Sequence, residues 1–253
     1  MVGWGEKDWM EVRCGGDGYS GWCDGKQLSP LVKASAEGGD WGRLMSPVST
    51  WWREDGEGEV PLRLSAGCRI WRGAGEGRLG GASGKIIRPA EGTWAGWEPE
   101  NEAHRKGVES ALQHAEQWLG VPYLWGGRST AGVDCSGLIQ VTALAVGWQL
   151  PRDASQQWDT AQPVAWEERR RGDWAFFSNP AGQIIHVAWL LDDHTVLHAA
   201  GEVRRDQLDA RGIVRRLPET PRASSRTGAA AEIVTHTLAG IRRWAAPADE
   251  AVG

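Results

Sequence analysis

Acyl transfer at a single site needs a nucleophile and a base, and this 253-residue chain offers both. The nucleophile is Cys135, in the run GVDCSGL. It stands where a loop with Gly126, Gly127 and Gly132 gives way to CSGLIQVTALAVGW, which reads as a buried helix. A helix N-terminus carries about half a positive charge and free N–H groups, both of which favour thiolate over thiol. The position therefore predicts a nucleophilic thiolate near neutral pH. For a lone thiol the alternative is a buried structural cysteine.

The base comes from a hairpin. IIHVAWLL and TVLHA are separated by Asp192, Asp193 and His194. A turn centred near 193 sets residue 186 opposite 200 and 188 opposite 198. His186 and His198 then share a face as diagonal neighbours, about 7–8 Å apart along the backbone. His186 is expected to take the proton from Cys135, and His198 to bond the far ring nitrogen and fix its tautomer. Two unrelated histidines, or a zinc site made by Cys135, His186 and His198, are the competing readings. His104, His114, His194 and His236 lack such a setting and read as surface residues.

These groups need elements to hold them. Val108, Ala111, Leu112, Ala115, Trp118 and Leu119 recur at helical spacing, with Gly120 as the stop. A polar loop with PRDASQQ follows the buried helix, and then come the strand-like runs DWAFF, IIHVAWLL and TVLHA. Helices first and an antiparallel sheet after them make the second half α+β. The first hundred residues differ. They are glycine-rich, with short apolar runs broken by turns, which suggests small β-structures. The stretch EGTWAGWEPENE at 91–102 reads as a linker. GAGEGRLGG at 73–81 lacks a surrounding βαβ unit. GGASGK at 80–85 has Leu79 and Ile86 where a phosphate loop needs Gly and Ser or Thr, so neither is read as a nucleotide site.

Composition narrows the partners. The net charge of -5 argues against a nucleic-acid binder, and no apolar run is long enough for a membrane span. Several of the 17 Trp are read as replacing smaller core residues rather than forming a carbohydrate platform. Cys14, Cys23, Cys68 and Cys135 show no zinc spacing, so no metal or cofactor is expected. A Cys14–Cys23 disulfide is the alternative to four buried free thiols. The start, MVGWGEKDWMEVRC, lacks the features of a secretory signal. That predicts a cytoplasmic protein, or a periplasmic or extracellular one if the start has been shortened. A monomer is expected.

Six blocks then follow in order: PYLWGG at 122–127, DCSGL at 134–138, LPRDASQQ at 150–157, GDWAFF at 172–177, IIHVAW at 184–189 and VLHAAG at 196–201. Together they closely resemble the NlpC-type cell-wall cysteine peptidases, over about residues 105–245. The resemblance implies a papain-like catalytic domain with Cys135 as nucleophile, His186 as base and His198 as the residue that orients it. It also implies substrate contacts near Tyr123, Asp134 and Ser136, with Asp134 contributing to an acidic pocket for a free amine. A serine of the PRD loop, here Ser155 in Asp153–Ala154–Ser155, would line that pocket. Arg128 and Arg152 are candidates for substrate carboxylates.

The first half resembles the bacterial SH3-like barrels that precede this domain in γ-D-glutamyl-L-diamino acid endopeptidases. Residues 1–30 would be a partial barrel with only the closing strands, and 31–100 a second barrel. Tyr19 is a candidate wall of the cleft, or else a packed aromatic. The implied substrate is a peptidoglycan-derived peptide, L-Ala-γ-D-Glu-diamino acid, with diaminopimelate or Lys as the diamino acid. A binding protein without activity, and an amidase or acyltransferase on the same frame, are the alternatives.

Overall fold

The structure is a computed structural model that describes residues 8–14, 16–28, 39–54, 59–73, 77–79, 86–89, 97–99, 107–216 and 232–245. The glycine run 80–85, His104 and most of the expected linker at 91–102 lie outside these residues. The chain divides into two compact units. One comprises residues 1–118, 128–131 and 140–152; the other comprises 119–127, 132–139 and 153–253.

The first unit begins with a hairpin, β1 (Trp9–Arg13) and β2 (Ser20–Asp24). Trp9 and Trp22 stay half exposed on it, because two strands alone give an aromatic little to pack against. Cys23 lies opposite Met10 rather than Cys14, and all four cysteines are free thiols. Burial was expected for all four. Cys135 is buried, but Cys23 and Cys68 are only half-buried and Cys14 is exposed.

A seven-stranded sheet follows, built from β3 (Asp40–Leu44), β4 (Val48–Glu54), β5 (Glu59–Ser65), β6 (Arg69–Arg72), β7 (Gly77–Leu79), β8 (Ile86–Pro89) and β9 (Trp97–Pro99). Its order is β5-β4-β8-β7-β6-β3-β9. Leu44, Trp51, Leu64, Ile70 and Ile87 form its core. Helix α1 (Val108–Glu116) buries Ala111, Leu112 and Ala115, the stripe its periodicity predicts. The turn after it buries Trp118, but Leu119 is exposed, so the apolar stripe ends earlier than expected.

Asp17, in the β1–β2 turn, ties this unit together. Its Oδ1 accepts from the Tyr19 N–H at 3.1 Å, and its Oδ2 accepts from Arg128 Nη1 at 3.2 Å and Gln140 Nε2 at 3.0 Å.

The second unit has the short strand β11 (Gly132–Val133), which follows β10 (Arg128–Ser129) in the chain. Helix α2 (Cys135–Leu144) starts here, and helix α3 (Ala154–Thr160) comes next. The sheet is antiparallel: β12 (Gln162–Val164), β13 (Trp174–Ser178), β14 (Ile184–Leu190), β15 (Thr195–Ala200), β16 (Glu202–Asp209), β17 (Gly212–Arg216) and β18 (Glu232–Arg243). Its order is β12-β18-β13-β14-β15-β16-β17. The twelve-residue β18 pairs with β13 along one part and with β17 along another, so the sheet curls onto itself. This is the α+β arrangement that the order of periodicities predicts.

Alternation sorts the side chains of the curled sheet. Ala175, Phe177, Ala188, Leu190, Val196, Leu208 and Ile213 form one buried cluster. Trp174, Phe176 and Trp189 occupy the other face, where Trp158 of α3 meets Phe176 edge-on at 5.3 Å. Each fully buried aromatic or aliphatic side chain contributes about 1.5–3 kcal/mol. His186, His198 and Asp206 are two residues from Ala188, Val196 and Leu208, so they extend the apolar cluster's face.

Candidate active site

Asp134 sets the start of α2. Its Oδ1 accepts from the Gly137 N–H at 2.7 Å, and its carbonyl from the Leu138 N–H at 2.9 Å. This is how an aspartate caps a helix. Its other oxygen accepts from the Gly126 N–H at 2.8 Å, which fastens the preceding loop. Within that loop, a side chain on Gly127 would collide with the Gly132 carbonyl. The glycines are there for close approach of backbone to backbone. Cys135 is thereby the first residue of α2, with its sulfur surrounded by N–H groups.

Those N–H groups come from Cys135 itself, from Ser136 and from Val187. The last one locates the base. The β14–β15 ladder comprises Trp189 opposite Leu197 and Leu190 opposite Val196. Val187 lies beyond its end and gives its N–H to the sulfur. The thiol therefore lies by the strand that carries His186, at the residue that follows it in the chain. The same register places 186 opposite 200, as the hairpin spacing predicts.

The two imidazoles meet. His186 Nε2 and His198 Nδ1 are 2.8 Å apart, and both side chains are buried. That is a hydrogen bond, and no zinc ion fits between atoms at that separation. Among the described residues, no group of three or more His, Cys, Asp or Glu side chains is disposed to hold a metal. His198 Nε2 in turn lies 3.1 Å from Asp206 Oδ2, and Asp206 Oδ1 accepts from Arg204 Nη2 at 2.7 Å.

The expected thiolate is corrected by this setting. Burial, with the Asp134 charge adding to it, pushes the Cys135 thiol up to about 11. The N–H groups pull the other way and are outweighed. His186 is shifted well below the ordinary imidazole value, by burial first and then by repulsion from His198 and His236. Both shifts favour the neutral forms, thiol and imidazole, at rest. A preformed thiolate would react with iodoacetamide at a rate that levels off near neutral pH. Here alkylation of Cys135, followed by peptide mapping, should instead rise about tenfold per pH unit from 7 to 10.

The other predicted site residues differ in their settings. Tyr123 is half-buried, and its N–H donates to the Gly201 carbonyl at 2.8 Å. Ser136 is buried; its hydroxyl lies 3.4 Å from Asp134 Oδ1, and its carbonyl accepts from Gln157 Nε2 at 3.1 Å. Ser155 is exposed in the first turn of α3. Arg128, Arg152 and Tyr19 belong to the other unit. The Arg128 guanidinium is paired with Asp17. Arg152 is buried, and Tyr19 is exposed.

Three groups of the site escaped the sequence reading. His236 was read as a surface residue, yet its ring lies over His186 with centroids 4.4 Å apart and planes 30° from parallel. It is half-buried, and burial and His198 depress it to about 4. Asp206 was visible in principle. A turn at Gly201 puts Arg204 opposite His198, and alternation then returns Asp206 to the same face. Gln157 carried no such signal, because its contact with Ser136 depends on how α3 approaches α2.

Comparison with known proteins agrees with this geometry. The model of the NlpC/P60 family matches residues 120–220. The gamma-D-glutamyl-L-lysine dipeptidyl-peptidase of Bacillus subtilis (strain 168) is 29% identical over 187 residues, covering 72% of this chain and 60% of that protein. The chain thus spans less than two thirds of that relative. The probable endopeptidase NlpC of Escherichia coli (strain K12) is 36% identical over 107 residues, 41% of this chain and 68% of that protein. The crystal structure of an NlpC/P60 family protein from Bacillus cereus ATCC 10987 superimposes with a TM-score of 0.74 at 22% identity, over 96% of this chain and 78% of that one, which shows a shared fold. With the ordered motifs, the cysteine at the head of α2 and the paired histidines of the sheet, these matches establish that the chain belongs to the NlpC/P60 family.

Proposed function

We propose that the protein is a cysteine peptidase that hydrolyses the γ-D-glutamyl–diamino acid amide of peptidoglycan stem peptides. The observation that carries this reading is the Cys135 sulfur at the Val187 N–H, one residue along the strand from an imidazole already bonded to a second one. His186 Nε2 is committed to His198, so Nδ1 is the nitrogen left for the thiol. The proton of Cys135 passes to Nδ1 as sulfur bonds to the γ-carbonyl carbon of D-Glu. In this reading the Cys135 N–H at the helix start donates to the developing oxyanion. His186 then returns its proton to the amine of the diamino acid as the C–N bond breaks. Water attacks the thioester, His186 takes its proton, and the thiol is regenerated with a free γ-carboxylate as product.

The substrate we propose is a free peptide with an L-Ala amino terminus. The likeness to the B. subtilis dipeptidyl-peptidase supports it, because that match runs well beyond the stretch covered by the family model. The test is mass spectrometry of products from L-Ala-γ-D-Glu-diaminopimelate, its Lys counterpart and their N-acetylated forms. Release of L-Ala-D-Glu from the free peptides, with capped peptides cut at least tenfold more slowly, is the expected result. Equal rates on capped and free peptides would point to an enzyme of intact wall, and no cleavage of either would remove the reading.

A further inference from the structure

We infer that Asp206 is a positioning residue that sets, through His198, which nitrogen of His186 carries the proton. The inference rests on the proposed role of His186 as base. Its ground is an unbroken chain of contacts: Arg204 Nη2 to Asp206 Oδ1 at 2.7 Å, Asp206 Oδ2 to His198 Nε2 at 3.1 Å, and His198 Nδ1 to His186 Nε2 at 2.8 Å. Each link allows one direction only. A guanidinium donates and never accepts, and a carboxylate held by it accepts. His198 Nε2 must therefore carry a hydrogen. A neutral imidazole has one such hydrogen, so His198 Nδ1 is an acceptor. His186 Nε2 must then be the donor, which leaves the lone pair on Nδ1, the nitrogen that the proposed reaction uses.

Without Asp206, either tautomer of His198 satisfies the bond between the two rings. In one of them Nδ1 of His186 is protonated and cannot take a proton from sulfur. Asp206 removes that degeneracy. Its ionised form is favoured in place: burial pushes its carboxyl up, but the hydrogen bonds from His198 and Arg204 and the Arg204 charge hold it below the usual carboxylate range. His236 stacks on His186 with ring centroids 4.4 Å apart, and its Nδ1 lies 3.0 Å from Thr235 Oγ1.

The test compares the full-length protein with Asp206→Asn and Asp206→Glu. In the asparagine variant Arg204 claims the amide oxygen, and the NH2 group meets His198 Nε2. The proton of His198 is driven to Nδ1 and that of His186 to Nδ1 in turn. The expected loss is about 10²- to 10⁴-fold in kcat with KM within about twofold, by analogy with the wrong-tautomer effect in serine proteases. Glutamate, which keeps the charge, should recover at least tenfold over asparagine.

The second measurement is nitrogen-15 NMR of the imidazoles. In the unaltered protein both His186 and His198 should be protonated at Nε2, and His186 should shift to Nδ1–H in Asp206→Asn. An Nδ1–H tautomer of His186 in the unaltered protein would overturn the inference even if the variant failed to fold. So would an asparagine variant with undiminished kcat. The NMR arm needs no substrate, so the inference and the proposed reaction can fail separately.

Discussion

Cys135→Ala should abolish hydrolysis of L-Ala-γ-D-Glu-diaminopimelate, with a fall of about 10⁵-fold or more, the scale seen when a covalent nucleophile is removed. Nothing else in the site can replace the sulfur. Ser136, the neighbouring hydroxyl, lies 3.4 Å from Asp134 Oδ1, and its own carbonyl is held by Gln157. The fold should survive, because the change deletes a single sulfur atom. A loss of about 1 kcal/mol corresponds to a shift of about 2–4 °C in Tm for a chain of this size. Turnover by this variant within tenfold of the parent would refute the assignment.

His186→Gln should cost about 10³-fold or more in kcat. Glutamine fills similar space, and its amide can still donate to His198 Nδ1, but it cannot take a proton from a thiol. The pH dependence carries a second signature. The base must be neutral to act, so activity is lost as pH falls through the pKa of His186. Burial and the neighbouring rings depress that value, so the acid limb of kcat/KM should lie below pH 6.5, with a level region around neutrality. A limb centred at or above 6.5 would mean that the imidazole is not shielded as described. The same depression acts on stability. His236 titrates at about 4 in the folded chain, against about 6.5 unfolded. The unfolded chain therefore binds the proton first, and stability present above pH 6.5 is lost as the pH falls toward 4.

The sequence was most legible where periodicity is short. The α1 stripe, the break at DCSG and the hairpin register all depend on local spacing, and the structure shows each of them. The electrostatics were not legible in the same way. A helix start argues for a thiolate, but only the packing reveals that Cys135 is 7% exposed and that Asp134 stands beside it. His236 was misread for a related reason. It lies on the last strand, and the curl that brings β18 back beside β13 and β17 is long-range. The ion pair of Arg128 was not legible, because its partner, Asp17, is 111 residues away in sequence.

The central claim is that the acyl group passes through the sulfur of Cys135. Its most direct test is to quench the enzyme in acid during steady turnover, digest it, and weigh the peptide that contains Cys135. The account predicts a fraction of that peptide heavier by the L-Ala-γ-D-Glu acyl group, lost on treatment with hydroxylamine. Steady turnover in protein whose Cys135 has been fully alkylated beforehand would contradict it.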